Sequence, residues 1–192
     1  MLYLASQSPR RRALLDQIQV VYQTLSVDTD ESVHTNETPE TYVQRVALQK
    51  ALAGQALKPQ DCVLGADTSV IYQQQILGKP IDKTDAYHML TMLSGQTHQV
   101  MTAVAIVSAQ QQLCSLNISQ VTFRNITKTE IKSYVDTQEP MDKAGSYAVQ
   151  GLASVFIERI EGSYSGVMGL PLYETAQLLQ RIDASLLQWL KN

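Results

Sequence analysis

The sequence has little of what would assign it quickly to a class. It contains two cysteines, Cys62 and Cys114, and neither sits in a C-x-x-C pair or another metal or redox spacing, so both are expected to be free, buried thiols. No apolar run reaches the ~18–20 residues that a membrane-spanning helix needs. The N-terminus runs apolar first and basic second, the reverse of a secretory signal. The expectation is a cytoplasmic protein without a membrane partner, in which the Asn-x-Ser/Thr triplets at Asn36, Asn117 and Asn125 carry no meaning. A surplus of positive charge is missing too. With 15 basic against 18 acidic side chains the net charge is -3, which removes any global attraction to nucleic acid or to an anionic membrane. Any anion site must therefore be local. The three histidines, His34, His88 and His98, form no H-x-x-x-H or H-E-x-x-H pair, so a zinc site has little support. There is no G-x-x-x-x-G-K-[ST], no G-x-G-x-x-G and no G-x-S-x-G, which excludes P-loop, Rossmann and serine-hydrolase explanations.

What is present reads as one ordered domain over residues 1–192. At 44% hydrophobic and 17% charged, a chain of this length can bury roughly 70% of its unfolded surface. Residues 2–5 read as a short buried strand. Ser8 and Pro9 then start a helix reaching about Ile18, with Leu14, Leu15 and Ile18 inward. A second strand is expected over 20–27, an acidic loop over 28–37, and a helix from Pro39 to Leu57 capped by Thr38. In that helix Lys50 falls beside the apolar stripe of Val43, Val46 and Ala47. Two β-rich runs, 62–66 and 69–74, are expected to be interrupted at Asp67 and Thr68, and a turn follows at 78–80. A helix over 85–93 ended by Gly95, a long hairpin over 99–109 and 113–124, and a helix from Thr127 to Val135 come next. A strand over 153–160 precedes a C-terminal helix from Pro171 whose apolar face includes Leu186 and Trp189. The loose alternation around one hairpin predicts an α/β fold, a single mixed sheet flanked by helices with a cleft.

Two segments have the makings of chemistry. In residues 6–12 a strand stops, two serines follow and a helix opens behind Arg10, Arg11 and Arg12. Helix N-terminal N–H groups, hydroxyls and guanidinium groups together suit a phosphate. Pattern alone nevertheless favours a solvated basic turn. In 65–68 an apolar strand delivers Asp67, which suits a divalent metal or a proton acceptor as well as it suits a turn cap. By default Glu31, Lys50 and Lys79 are surface charges.

In order along nearly the whole chain, the blocks LASQSPRR (4–11), Asp30-Glu31, Gln49-Lys50-Ala51, LGADTSV (64–70), GKP (78–80), LSGQTHQVMTAVA, DKAGSYAVQG and GSYSGVMGLPL resemble the Maf family. These proteins, named for septum-formation inhibition, hydrolyse nucleoside triphosphates to monophosphate and pyrophosphate. The resemblance implies an elongated fold of the Maf and ITPase type with a cleft between two lobes, commonly homodimeric. At three positions that surround the base, Arg10, Thr68 and Gln150, the chain is similar to the dTTP/UTP subgroup. A 7-methyl-GTP subgroup would carry tryptophan, glutamine and glutamate there. Gln7 departs from the small residue frequent between the two serines.

What the resemblance implies for mechanism is water attack on the α-phosphorus, assisted by a divalent cation, Mg²⁺ or else Mn²⁺. Asp67 would act as general base, Glu31 and Asp67 would hold the metal, and Ser6, Arg11, Lys50 and Lys79 would grip the phosphate chain. Arg10, Thr68 and Gln150 would select the base. The alternatives are a 7-methyl-GTP pyrophosphatase and a nucleotide-binding regulator of cell division with little turnover.

Overall fold

The computed structural model describes residues 1–187 and 189; residues 188 and 190–192 of the expected domain lie outside the described residues. β1 (Leu2–Leu4) runs parallel to both β2 (Gln23–Thr24) and β3 (Cys62–Tyr72). β3 then pairs antiparallel with β4 (Gln75–Leu77) and β5 (Thr97–Val107), and β5 continues through the glutamine-rich turn into β6 (Gln112–Phe123), which pairs with β7 (Ile157–Glu161). The result is one mixed seven-stranded sheet in the order β2-β1-β3-β5-β6-β7, with β4 beside β3.

The near-continuous apolar runs of β3 and β5 are those of strands buried on both faces. On one face Ala103, Ala105 and Ile71 pack under α2 (Pro39–Leu57), through its Val43, Val46, Ala47 and Ala51. On the other, Leu64, Ala66, Val104 and Ile106 meet α1 (Pro9–Gln17) and α6 (Leu172–Asp183). A further apolar cluster gathers α3 (Lys83–Leu93) and α4 (Lys128–Asp136) around Phe123, Tyr134 and Tyr147. Caps fix the helix starts: Thr38 accepts from Thr41 N, Asp82 from Asp85 N, and Thr127 with Glu130 forms a reciprocal capping box.

The structure differs from the sequence expectation in identifiable ways. β3 is not interrupted at Asp67 and Thr68, because β5 pairs with it continuously from Val63 to Ile71 and satisfies its backbone there. The β-rich stretch 20–27 forms ladder pairs only at Gln23 and Thr24, at the sheet edge. Residues 152–156 make a 3₁₀ turn before β7, and a short helix, α5 (Tyr164–Met168), was not expected. α6 stops at Asp183. Leu186 lies in a following 3₁₀ turn, and the Trp189 indole N–H donates to Ile18 O at 2.7 Å, so this end packs on the end of α1. Both cysteines are free, but Cys62 is half-buried and Cys114 exposed, because Cys114 lies on a β6 face that its neighbours leave open. Among the described residues no helix is long and apolar enough to cross a membrane.

Gly65 marks the tightest helix–sheet contact. A Cβ there would lie 2.4 Å from Ala47 O and 2.5 Å from Ala51 N, backbone atoms of α2 that cannot swing aside. Gly65→Ala should therefore destabilise the fold by about 3 kcal/mol and lower Tm by roughly 6–12 °C, as read by thermal denaturation. His98, 2% exposed, has its Nε2 2.8 Å from the Tyr147 hydroxyl and its Nδ1 buried without a partner. Burial lowers its pKa from 6.5 to about 4. The unfolded chain thus binds this proton first, and stability should fall by roughly 3 kcal/mol as pH drops from about 6.5 to about 4. Glu37 and Glu130, lowered to about 2 chiefly by hydrogen bonds from Arg45 and Arg124, act only at lower pH. Urea denaturation of wild type and His98→Gln at pH 7, 5.5 and 4.5 should show the slope between pH 6.5 and 4.5 flattened in the variant.

Candidate active site

Because β5 occupies one edge of β3 from Val63 to Ile71, β1 and β4 must share the other edge, β1 at 62–64 and β4 at 70–72. Among the described residues, the second edge of β3 therefore has no strand partner between 65 and 69. Asp67 and Thr68 lie in that gap, on opposite faces of the strand. The chain leaving β1 contributes Ser6 to Arg11 on one side, and the chain leaving β4 contributes Gly78 and Lys79 on the other. A cavity of about 610 Å³ fills the space, a size suited to a nucleotide.

Arg11 organises the first wall. Its Nε donates to Gly169 O at 2.8 Å, Nη1 to Ser6 Oγ at 3.2 Å and Nη2 to Thr68 Oγ1 at 3.3 Å. Burial lowers its pKa, Arg10 adds to this, and Asp67 and Glu31 oppose it. Ser8 N donates to Ser6 Oγ at 3.2 Å, so the expected N-cap Ser8 makes no side-chain cap bond and Ser6 takes over the turn. Thr102 Oγ1 lies 3.0 Å from Thr68 Oγ1 and 2.7 Å from Gly166 O. A carbonyl only accepts, so Thr102 spends its single hydrogen there and the Thr68 hydrogen points to Thr102. Thr68 accepts from Arg11 and keeps only a lone pair for the cavity.

The second wall is ionic. The Lys50 ammonium lies 2.9 Å from Asp67 Oδ1 and 2.9 Å from Glu31 Oε1, with side-chain exposures of 12%, 8% and 47% for Lys50, Asp67 and Glu31. Ser69 Oγ donates to Asp67 Oδ2 at 3.4 Å. Lys50 is thus the partner that makes a buried mid-strand carboxylate tolerable. Glu31 reaches it from the acidic loop because α2 ties that loop down. The Tyr42 hydroxyl donates to Glu31 O at 2.9 Å, and Arg45 bonds both Glu37 oxygens, at 2.6 and 2.8 Å, and Ser32 O at 2.8 Å.

All nine residues singled out in the sequence, Ser6, Arg10, Arg11, Glu31, Lys50, Asp67, Thr68, Lys79 and Gln150, line this one cavity. Lys79 and Gln150 are exposed at its rim, and Arg12 lies outside it as a solvated helix residue. The sequence reading passed over Asp142 and Lys143, an ion pair in the wall, and Tyr147, although all three lie within the DKAGSYAVQG block. Five cationic side chains face three carboxylates in the lining, which puts a local positive excess into an acidic chain. Since Glu31 and Asp67 converge on one ammonium, they can equally converge on one cation. No group of three or more His, Cys, Asp or Glu capable of holding a metal occurs among the described residues. Two carboxylates with substrate oxygens completing the shell is the donor set Mg²⁺ favours, so the residues fit that ion.

The family model described as "Maf-like protein" matches residues 1–182. A "dTTP/UTP pyrophosphatase" of Xanthomonas euvesicatoria pv. vesicatoria is 52% identical over 189 residues, covering 96% of this chain and 100% of that protein. A protein of the same name from Pseudoalteromonas atlantica is 55% identical over 187 residues, covering 95% and 97%. Among solved structures, a HAM1 protein from Coxiella burnetii matches the fold with a TM-score of 0.54 at 14% identity, covering 94% of this chain and 98% of that one. With the match extending through every segment that builds the cavity, the chain belongs to the Maf-like protein family.

Proposed function

We propose that this protein hydrolyses dTTP and UTP to the nucleoside monophosphate and pyrophosphate. The observation that carries the reading is the convergence of Asp67, Lys50 and Glu31 at the open edge of β3, beside the Ser6–Arg11 phosphate wall. Relatives of about half-identical sequence bear that activity in their names. Asp67 takes a proton from the water whose oxygen bonds to the α-phosphorus, and the bond to the α–β bridging oxygen breaks as pyrophosphate leaves. Arg11 and Ser6 hold phosphate oxygens from one side, and Lys50 and Lys79 from the other. Lys50 exchanges part of its contact with the carboxylates for the more highly charged phosphate chain. A divalent cation held by Glu31 and Asp67 would supply charge neutralisation on that chain.

Arg10, Thr68 and Gln150 select the base. The primary amide of Gln150 both donates and accepts, as the N3–H and carbonyl edge of uracil or thymine requires. Unpaired cysteines fit a reducing compartment, and we place the protein in the cytoplasm.

Asp67→Asn preserves shape and leaves Lys50 paired with Glu31, so it should fold normally while kcat falls about 10²- to 10⁴-fold. Near-normal turnover in a folded variant would remove Asp67 as the base. Lys79 is exposed and has no hydrogen bond or ion pair among the described residues. Lys79→Ala should therefore raise KM for the triphosphate about tenfold with Tm unchanged. A nucleotide panel scored for pyrophosphate release with Mg²⁺ and with Mn²⁺ should rank dTTP and UTP first. Faster turnover of 7-methyl-GTP, or tight binding without release, would favour the methylated-purine or the sensor reading.

A further inference from the structure

Gln150 is exposed at the cavity rim, and its side chain makes no hydrogen bond among the described residues. A side chain so placed is aimed only by its backbone. That backbone is a tight turn: Gly151 N donates to Ala148 O at 3.1 Å, and Ser154 N donates to Gly151 O at 3.0 Å. On the next residue, Leu152 N donates to Glu139 Oε2 at 3.0 Å.

The other oxygen of Glu139 accepts from the Tyr134 hydroxyl at 3.0 Å. Tyr134 is an anchored post. It is buried on α4, and its ring meets Phe156 edge-on at 5.5 Å between centroids, Phe156 closing the same 3₁₀ turn that Leu152 opens. Glu139 is itself set by Thr137 Oγ1, which accepts from Glu139 N at 3.2 Å. The carboxylate lies so close to the turn that a Cβ on Gly151 would sit 2.2 Å from Glu139 Oε1. The absence of a side chain beside Gln150 is what admits the carboxylate.

On the reading of Gln150 as a base contact, we propose that Glu139 is a positioning residue for base recognition, holding the Ala148–Leu152 turn at the height where the Gln150 amide meets the pyrimidine edge. It touches neither the phosphate chain nor Asp67. Its loss should thus weaken selection of the base and leave the chemical step alone.

The test compares Glu139→Ala, Glu139→Gln, Gln150→Ala and the Glu139→Ala/Gln150→Ala double variant in steady-state kinetics on dTTP, UTP, CTP and GTP, with Tm recorded for each. Glu139→Ala should raise KM for dTTP and UTP about tenfold, hold kcat within about twofold, and narrow the preference over CTP and GTP. Glu139→Gln should restore most of that preference, because its amide oxygen can accept from Leu152 N while its NH₂ donates to the Tyr134 oxygen. Adding Glu139→Ala to Gln150→Ala should cost little more. A Glu139→Ala enzyme with lowered Tm but unchanged KM values and nucleotide ranking overturns the proposal, as does a loss confined to kcat. If Gln150→Ala changes the ranking and Glu139→Ala does not, Glu139 has no such role. If Gln150→Ala changes nothing, the base-contact reading itself falls. Should Glu139→Ala fail to fold, Gly151→Ala displaces the same carboxylate and is expected to give the same KM-selective effect; an unchanged KM there overturns the proposal.

Discussion

A strand edge left open between two partners is the constraint on which the site depends. β1 and β4 share one side of β3, and the five residues they leave uncovered, 65 to 69, present backbone groups that neither strand satisfies. The sheet gains rigidity from β5 on the far side, so the gap does not collapse. Both strand ends that frame it turn away immediately, one into Ser6–Arg11 and the other into Gly78–Lys79. The gap and its cationic rims therefore arise from the same chain reversals. Asp67 and Thr68 occupy the centre of the opening, and their opposite faces give the cavity two chemically different walls.

Electrostatics then determines what can fill the opening. Lys50 binds two carboxylates while offering a single charge, so the Asp67–Lys50–Glu31 group carries excess negative charge that suits a cation. Arg10, Arg11, Lys79 and Lys143 add positive charge around it. Either charge set alone would attract only one kind of ligand. Side by side they suit a polyanion accompanied by a cation, and the phosphate chain of a nucleoside triphosphate is such a ligand. Removing one member of a buried pair leaves its partner uncompensated, which costs about 3–5 kcal/mol where no second partner exists. Lys50, with two partners, escapes that penalty and is free to shift as charge arrives.

Much of this was legible in the sequence because it depends on local rules. Helical spacing put Lys50 beside the apolar stripe, Thr38 and Thr127 marked helix starts, and the β-rich runs alternating with helices pointed to a mixed sheet flanked by helices. Asp67 was misjudged as a strand break for a sound reason: a lone carboxylate in a buried strand is costly, and its partner lies on α2, whose crossing over β3 at Gly65 is a tertiary fact. Charge pattern alone would have left the arginines at 10–12 in solvent. Only the tertiary contacts of Arg11, with the carbonyl of Gly169 158 residues later and with the Ser6 and Thr68 hydroxyls, show why it turns inward while Arg12 stays in solvent. Gln150 was reachable only through the ordered blocks shared with relatives, since neither composition nor spacing distinguishes it. Asp142, Lys143 and Glu139 carried no separate signal, because their roles depend on how the 139–152 segment folds back on itself.

Besides Ser6, three of the site residues project from loops rather than from strands or helices, and each of those three loops is fastened differently. The acidic loop bearing Glu31 is tied to α2 by Tyr42 and by the bidentate Arg45–Glu37 pair. The turn bearing Lys79 is tied at Gly78 O, which accepts from Gly145 N at 3.0 Å. The turn bearing Gln150 is tied through Glu139. Loops vary and move more readily than the sheet they decorate, so each tie reduces the entropy that binding would otherwise have to remove. The ties differ in how far their effect reaches. Loosening the Glu31 loop disturbs the ion group it forms with Lys50 and Asp67, and loosening the Lys79 turn disturbs the cationic rim. Loosening the Gln150 turn disturbs only the rim, which is where the proposed function puts the base. On the proposed reading, selectivity therefore rests on the 139–152 segment and the chemistry on Asp67, Lys50 and Arg11, which the sheet and α2 fix, so that one can be altered without the other.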